Sequence, residues 1–469
     1  MNDVDICYLP AVELADAIRS KTVSPVEVTS AVVAHIEALE PKLNAFATFT
    51  PERALDGAKA AEQAVVDGES LGPLHGVPVT LKDLTTTKDV PTQRGSKIFA
   101  DHIPDTDAVI VGRVKNAGAI VLGKTTTSEF GWKGVSQSPL TGITSNPWRL
   151  GYNAGASSAG AGAGAAAGYG PLHQGSDGAG SIRMPAHFCG IFGLKPTFGR
   201  IPNIPIPNND QTSHVGPMTR TVADAALFLR VMAGPHYTDH TSLTAAPPDY
   251  LSLLKTSADP APKIAYSADL GHARVDPQVS ALVASAVRVF DDLGCTIEEV
   301  TPPFGPAGPE LGRFLWSVHE APLARYLEQW EHEMDPGLVA CIKAGAGHSA
   351  EEYLAMRNRK LTYVNQIHEF MQSYDLLLTP AVSVAAFPAD QLQPQHWPQH
   401  PWDWLSWAEF SYPFNMSGNP AASVPCGFTD SGLPVGLQIV GRRSDETSVL
   451  RAAAAFELAK PWADQRPEI

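Results

Sequence analysis

Two kinds of pattern alternate along this chain: segments with helical signals and short runs that are apolar or strictly alternating. Ser24-Pro25-Val26-Glu27 sets a capping serine before a proline at the first helical position, with a glutamate three residues after the serine. This predicts a helix to about Leu39, ahead of Pro41. A second helix is expected from about Pro51 to Val66. The stretch from Gly76 to Asp83 is rich in β-branched residues and alternates from Val79, which predicts a strand delivering Lys82 at its end. Thr106 reads as the cap of a helix that stops at Gly118, and Ala119 to Leu122 as a short buried strand. Helices are also expected from Thr221 to Met232, Pro277 to Leu293 and Glu446 to Leu458, with long helical patterns from Leu311 to Gln372. Strands are expected from Lys263 to Tyr266, Cys295 to Val300, Asp375 to Pro380 and Gly436 to Val440. Ala245 to Pro248 and Ala258 to Pro262 read as surface connections. Strands alternating with helices predict an α/β layered sheet.

Composition narrows the function. The chain has 469 residues, 44% of them hydrophobic and 18% charged, so a large buried core is within reach and wholesale disorder is not expected. Lys plus Arg number 34 against 49 Asp plus Glu, a net charge of −15, which argues against nucleic acid or an anionic membrane as partner. A small-molecule substrate fits better. Cys7, Cys189, Cys295, Cys341 and Cys426 are scattered without a CxxC pair and read as reduced, mostly buried thiols. No metal or other cofactor is expected. The start MNDVDICYLP has no basic region, and no apolar run of about 18 residues follows. The expected location is therefore the cytoplasm, without a membrane span.

Three short motifs fit known formulas and fail on context. Gly118 to Thr125 fits a P-loop, but its variable positions form a buried-strand run instead of an exposed turn. Gly162, Gly164 and Ala167 fit a dinucleotide fingerprint with no strand ahead of them. Gly68-Glu69-Ser70-Leu71-Gly72 fits a nucleophile elbow, yet it follows a helix in a polar loop.

The run NAGASSAGAGAGAAAGYG, Asn153 to Gly170, is almost bare of side chains. By itself it suits a linker, a phosphate cradle or backbone packed around a catalytic hydroxyl. Three residues able to act as nucleophile or base stand in glycine-rich or strand-end settings. They are Lys82, Ser157 in Gly155-Ala156-Ser157-Ser158-Ala159-Gly160, and Ser181 in the segment from Gly175 to Ala186. With them go LHGVPVTLKD around Lys82, GAIVLGKTTTSEF, CGIFGLKPTFGRIP, GPMTRTVADAA, LLLTP and NMSGNPAASVPCGFTDSGLPVGLQIVG. Together these segments resemble the amidase signature family, serine hydrolases with a Ser-cisSer-Lys triad on a single α/β domain.

The resemblance implies one domain over 1–469, with a mixed central sheet covered by helices on both faces. The likeness is sparse from about 236 to 373, and that segment, with 388–412, is expected to vary and to shape the substrate site. By motif position Ser181 is implied as nucleophile, Ser157 as the bridging proton relay on a cis peptide, and Lys82 as general base. A lysine can serve so only if burial lowers its pKa from about 10.4 toward neutrality. Gly178, Ala179 and Gly180 offer backbone amides for an oxyanion hole. Ser158 and Asp177 complete the candidate binding set, and Asp177 with Arg183 is expected to hold the nucleophile loop. Ala156, Ala159 and Ala179 replace glycines usual in the family, and alanine resists positive φ. A slightly altered oxyanion backbone is expected.

The implied reaction is cleavage of an amide C–N bond, of an aryl amide or carbamate, through a Ser181 acyl-enzyme, with ester cleavage by the same chemistry. One alternative is the glutamine-hydrolysing chain of an amidotransferase, against which no partner-docking tail is seen. The other is an inactive binding homologue. A homodimer is left open. Four of the nine tryptophans, Trp397, Trp402, Trp404 and Trp407, crowd one proline-rich stretch. They are expected to wall an apolar substrate pocket, Trp402 among them, with Trp132 on the opposite side.

Overall fold

The capping signals at Ser24 act as the sequence predicts: Glu27 N donates to Ser24 Oγ (3.1 Å), and Ser24 N donates to Glu27 Oε2 (2.8 Å). The helix they start, Pro25–Leu43, outruns the expected end at Leu39 because Pro41 falls in its last turn, where a missing N–H costs a single bond. Asn44, in the left-handed conformation, ends it. In this computed structural model, which describes residues 2–254 and 261–469, an eleven-stranded mixed sheet carries the other elements. Its strands in chain order are β1 (Phe46–Phe49), β2 (Pro78–Lys82), β3 (Ile120–Thr125), β4 (Leu172–Asp177), β5 (Phe192–Lys195) and β6 (His214–Thr219). There follow β7 (Lys263–Tyr266), β8 (Thr296–Glu299), β9 (Leu376–Pro380), β10 (Ala421–Phe428) and β11 (Pro434–Gly441). Across the sheet they run β1-β3-β2-β4-β6-β5-β10-β11-β9-β7-β8.

β2 lies between β3 and β4 and parallel to both, so its last residue, Lys82, emerges beside the end of β4. Alternate residues along the strands enter two separate cores. Ile264, Leu376 and Ile439 point into one, and Ala265, Leu377 and Val440 into the other. The first core holds residues of the helices Pro25–Leu43, Val222–Met232, Pro277–Asp292 and Glu446–Ala459. The second holds residues of Gly308–Glu320, Pro336–Ala346 and Ala350–Gln372. Both faces of the sheet are thus covered, as the α/β reading expects.

Several details differ from the sequence reading. The helix expected from Thr106 is Val109–Asn116, with Asp107 ahead of it turned back to accept from Lys88 N (2.7 Å). Gly118 makes a left-handed turn into β3, so the P-loop match is a helix stop followed by a strand. Gly162, Gly164 and Ala167 lie inside the helix Ala159–Ala167, and Gly68 ends the helix Pro51–Asp67. Of the connection expected at Ala258 to Pro262, 258–260 lie outside the described residues. The five cysteines are free, and all but Cys295 are buried. Among the described residues no helix is long and apolar enough to cross a membrane, and no cluster of side chains could hold a metal ion.

Candidate active site

The glycine-rich run is neither linker nor cradle. It forms the helix Ala159–Ala167, all nine residues buried. At Gly160 a Cβ would stand 1.9 Å from Ala45 O, so only glycine lets this helix seat against the chain entering β1. Ser157 precedes the helix, and the peptide bond joining it to Ala156 is cis. Ser158 is spoken for. Its N–H donates to Ser181 O (3.3 Å), its Oγ donates to Ser176 O (3.1 Å) and accepts from Ser176 N (3.2 Å). It ties the Ser157 loop to β4 and has no hydroxyl to spare for substrate.

Lys82 reaches the same point from β2. It is fully buried, and its Nζ donates to Ser157 Oγ (2.8 Å) and Ser176 Oγ (3.0 Å). Loss of water draws its pKa down to about 7, with the Asp177 charge pulling the other way. Lys124 and Lys195 are buried as deeply, but their amines hold other groups. Lys124 Nζ donates to Thr85 O (2.6 Å) and Thr92 Oγ1 (2.8 Å), and Lys195 Nζ donates to the carbonyls of Asn419 and Pro196. The nearby histidines are held neutral. Burial lowers His173 to about 3 and His187 to about 4, and drives His214 well below its usual value. Each is also bound to backbone carbonyls.

The loop from Asp177 to Arg183 is held from within. Arg183 Nε and Nη2 donate to Asp177 at 3.0 and 2.9 Å, and Asn415 Nδ2 donates to the same carboxylate at 2.8 Å. Burial alone would raise the Asp177 carboxyl, but the Arg183 guanidinium and these bonds keep it well below the usual carboxylate range. Asp177 also accepts from Gly180 N (2.7 Å) and Ile182 N (3.2 Å). This corrects one expectation: the Gly180 amide is spent on Asp177. The N–H groups of Gly178, Ala179 and Ser181 have no hydrogen-bond partner among the described residues, and neither has Ser181 Oγ. Ala156, Ala159 and Ala179 all keep negative φ, which alanine adopts without strain. Gly180 cannot be replaced so easily, because its φ is +113° and a Cβ there would meet Ser411 at 2.7 Å.

The walls around the loop differ from the tryptophan expectation. Trp404 and Trp407 are wholly buried and Trp397 nearly so, because each indole N–H finds a carbonyl: Trp132 O (2.7 Å), Leu392 O (3.0 Å) and Ser406 O (3.2 Å), respectively. Trp402 stands edge-on to the His400 ring. Trp132 is buried with its ring against Gly337. Neither Trp132 nor Trp402 lines the two cavities beside the loop from Asp177 to Arg183. The tryptophan that does is Trp316, from the segment where the family likeness is sparse. A cavity of about 20 Å³ touches Gly178, Ala179 and Trp316, and one of about 330 Å³ touches Ser176, Leu84 and Phe130. A larger hollow of about 600 Å³, by Tyr152, Asp276 and His396, includes no residue of the 176–181 stretch.

A serine hydroxyl held by a buried amine, beside a second serine and free backbone donors, is equipment for acyl transfer. The chain belongs to the amidase family, whose pattern matches residues 27–450. It is an enzyme of the amidase signature type, a hydrolase acting on amides. It is 40% identical to an acylamidase of Rhodococcus erythropolis, over all of this chain and 98% of that protein. It is 35% identical to a glutamyl-tRNA(Gln) amidotransferase chain of Moorella thermoacetica, over 99% of each chain. Among solved structures it matches a bacterial aryl acylamidase of the amidase signature family (TM-score 0.90, 30% identity, 97% of each chain). It also matches a 6-aminohexanoate cyclic dimer hydrolase (TM-score 0.90, 28% identity, 98% of this chain and 99% of that one).

Proposed function

We propose that Ser181 is the nucleophile, Ser157 the proton relay and Lys82 the general base of an amidase that cleaves aryl amides, with carbamates and esters as further acyl donors. The neutral Lys82 amine takes the Ser157 hydroxyl proton as Ser157 takes that of Ser181, whose oxygen bonds to the substrate carbonyl carbon. The developing oxyanion is met by the free N–H groups of the Gly178 to Ser181 loop; losing one such donor typically costs about 100-fold or more. The C–N bond then breaks, and the proton held on Lys82 returns through Ser157 to the departing nitrogen. Water enters, gives its proton to the same relay and releases the acid, restoring Ser181. The observation that carries this reading is the 2.8 Å contact between Lys82 Nζ and Ser157 Oγ in a fully buried setting. The aryl preference is supported by Phe130 in the lining of the larger cavity and by the acylamidase and aryl acylamidase relatives. The test is turnover of an anilide, an aliphatic amide, a carbamate and an ester by wild type and Ser181→Ala. Anilide cleavage abolished by Ser181→Ala is expected. Undiminished activity in that variant overturns the nucleophile assignment, and a clear preference for the aliphatic amide overturns the aryl one.

A further inference from the structure

The two cavities that flank the nucleophile loop differ more than tenfold in size, and they differ in which part of the machinery they touch. The smaller, about 20 Å³, is bounded by Gly178, Ala179, Leu315, Trp316, Leu405 and Tyr412. About 10–15 Å³ of such space holds one water-sized body, so this niche admits a group close to a methyl. The larger, about 330 Å³, is bounded by Leu84, Phe130, Ser176, Ile204, Pro205 and Val215, and falls in the range of about 300–1,000 Å³ typical of small-molecule sites.

The relay decides which end of a substrate goes where. The departing nitrogen must collect its proton from Ser157 and Lys82. The larger cavity lies on their side: Ser176 accepts from Lys82 Nζ through its carbonyl (3.4 Å) and its hydroxyl (3.0 Å). Phe130 adjoins Gly131, whose Cβ, were there one, would stand 3.1 Å from Ser157 Oγ. Lys82 and Ser157 line neither cavity, but the niche, unlike the larger cavity, has no lining residue hydrogen-bonded to them; it is bounded by Gly178 and Ala179, whose amides face no protein acceptor. We infer that the site is lopsided, taking an acyl group of about two carbons in the niche and a bulky amine in the larger cavity, with Trp316 as the residue that limits acyl length.

Trp316 is a fixed wall. Its indole N–H donates to Trp132 O (3.0 Å), its ring stands edge-on to Trp404 (5.3 Å, 83°), and its Cζ3 and Cη2 lie 3.8 and 3.9 Å from where a Gly178 Cβ would be. A longer acyl chain therefore meets a ring restrained from two sides and cannot push it aside at low cost.

The inference rests on the acyl-enzyme reading above, and a two-way substrate series separates the two. With nitroaniline held as the amine, acetyl, butyryl, hexanoyl and benzoyl derivatives are compared in wild type. With acetyl held as the acyl group, amides of methylamine, aniline and 2-aminonaphthalene are compared. In the acyl series kcat/KM is expected to fall about tenfold or more from acetyl to hexanoyl, since an extra methylene in a filled pocket can weigh that much. In the amine series no such fall is expected. Trp316→Ala is expected to raise the hexanoyl-to-acetyl ratio about tenfold, whereas Trp316→Phe, which keeps a ring in place, leaves it nearly as in wild type. Should the alanine variant fail to fold, Trp316→Leu replaces it, and the wild-type series decides by itself. Equal or better cleavage of hexanoyl and benzoyl anilides, or a steep fall along the amine series, overturns the inference while leaving the amidase reading intact. An unchanged ratio in folded Trp316→Ala overturns the role of Trp316. If no member of either series is cleaved, the aryl amide reading falls and the inference falls with it.

Discussion

Loss of water around Lys82 takes its amine to about 7, and a base must be unprotonated to work. Below that pH the ammonium has no lone pair to receive the Ser157 proton, and above it the neutral amine does. The sign is therefore fixed: kcat/KM for an anilide is expected to climb with pH, about tenfold per unit on the acid side, with a midpoint near 7 and an alkaline plateau. Lys82→Ala is expected to lose more at neutral pH than at high pH, where hydroxide replaces part of the base. A profile flat from pH 6 to 9 under chemistry-limited conditions would count against the assignment. The residues proposed to carry this chemistry were legible through the order and spacing of Lys82, Ser157 and Ser181 within family-like segments, since the run around Ser157 alone suits three uses. The three fully buried lysines, by contrast, could not be ranked by residue type alone. What separates them is where the amine ends: on Ser157 Oγ for Lys82, on Thr85 O and Thr92 Oγ1 for Lys124, and on backbone carbonyls for Lys195.

At the scale of elements, the turn Asn209 to Ser213 lies between the two cavities, with Asn209 and Ser213 lining the larger and Thr212 the smaller. Asp210 anchors it. Its carboxylate accepts from Tyr353 OH (2.9 Å) and His319 Nε2 (3.0 Å) and pairs with Arg357 Nε (3.2 Å), while its carbonyl accepts from Lys360. Burial pushes this carboxyl up, but these partners bring it down to about 2, so the anchor is charged throughout the working range. Thr212 O also accepts from the same Asn415 amide that holds Asp177. Asp210→Ala is expected to free the turn and raise KM for bulky acetyl anilides severalfold with a smaller change in kcat. Steady-state kinetics checks this, and an unchanged KM would show that the turn does not depend on its anchor. Pro207-Asn208-Asn209-Asp210 has the composition of a turn, but its anchoring is not marked in the sequence, because its partners come from helices more than a hundred residues away. The missed strands have a related cause. β4 reads Leu-His-Gln-Gly-Ser-Asp, which has no apolar run, and it lies inside because its polar groups are satisfied there, His173 by Thr80 Oγ1 and Gly170 O and Gln174 by Thr85 Oγ1. The tryptophan stretch misled for the same reason, since carbonyl partners for three indoles are invisible until the chain is folded.

Over the whole molecule, the helices between Gly308 and Gln372 form a second core on one face of the sheet, and the residues proposed as catalytic come from the strands and loops beneath. What joins the two is the segment from Glu129 to Lys133, which follows β3. Lys133 Nζ pairs with Asp335 Oδ2 at 2.6 Å with both side chains nearly buried, and Asp335 N donates to Glu129 Oε2 at 2.6 Å. Asp335 also caps the helix Pro336–Ala346 by accepting from Gly337 N (2.9 Å), and Trp132 O receives both the Trp316 and Trp404 indoles. The wall of the acyl niche thus hangs from the strip of chain that packs Gly131 against Ser157. Asp335→Asn keeps a capping oxygen but leaves the Lys133 ammonium without its counter-charge in a nearly dry place. Removing one partner of a buried pair costs about 3–5 kcal/mol, and the retained hydrogen-bonding capacity places this variant at the lower end. The urea midpoint is expected to fall accordingly. Amide hydrogen exchange is expected to rise first in Pro336–Ala346, ahead of β2 and β4, and anilide kcat/KM to drop with it. If exchange instead rises evenly across the sheet while Pro336–Ala346 stays protected, the ion pair stabilises the molecule without docking the second core onto the site.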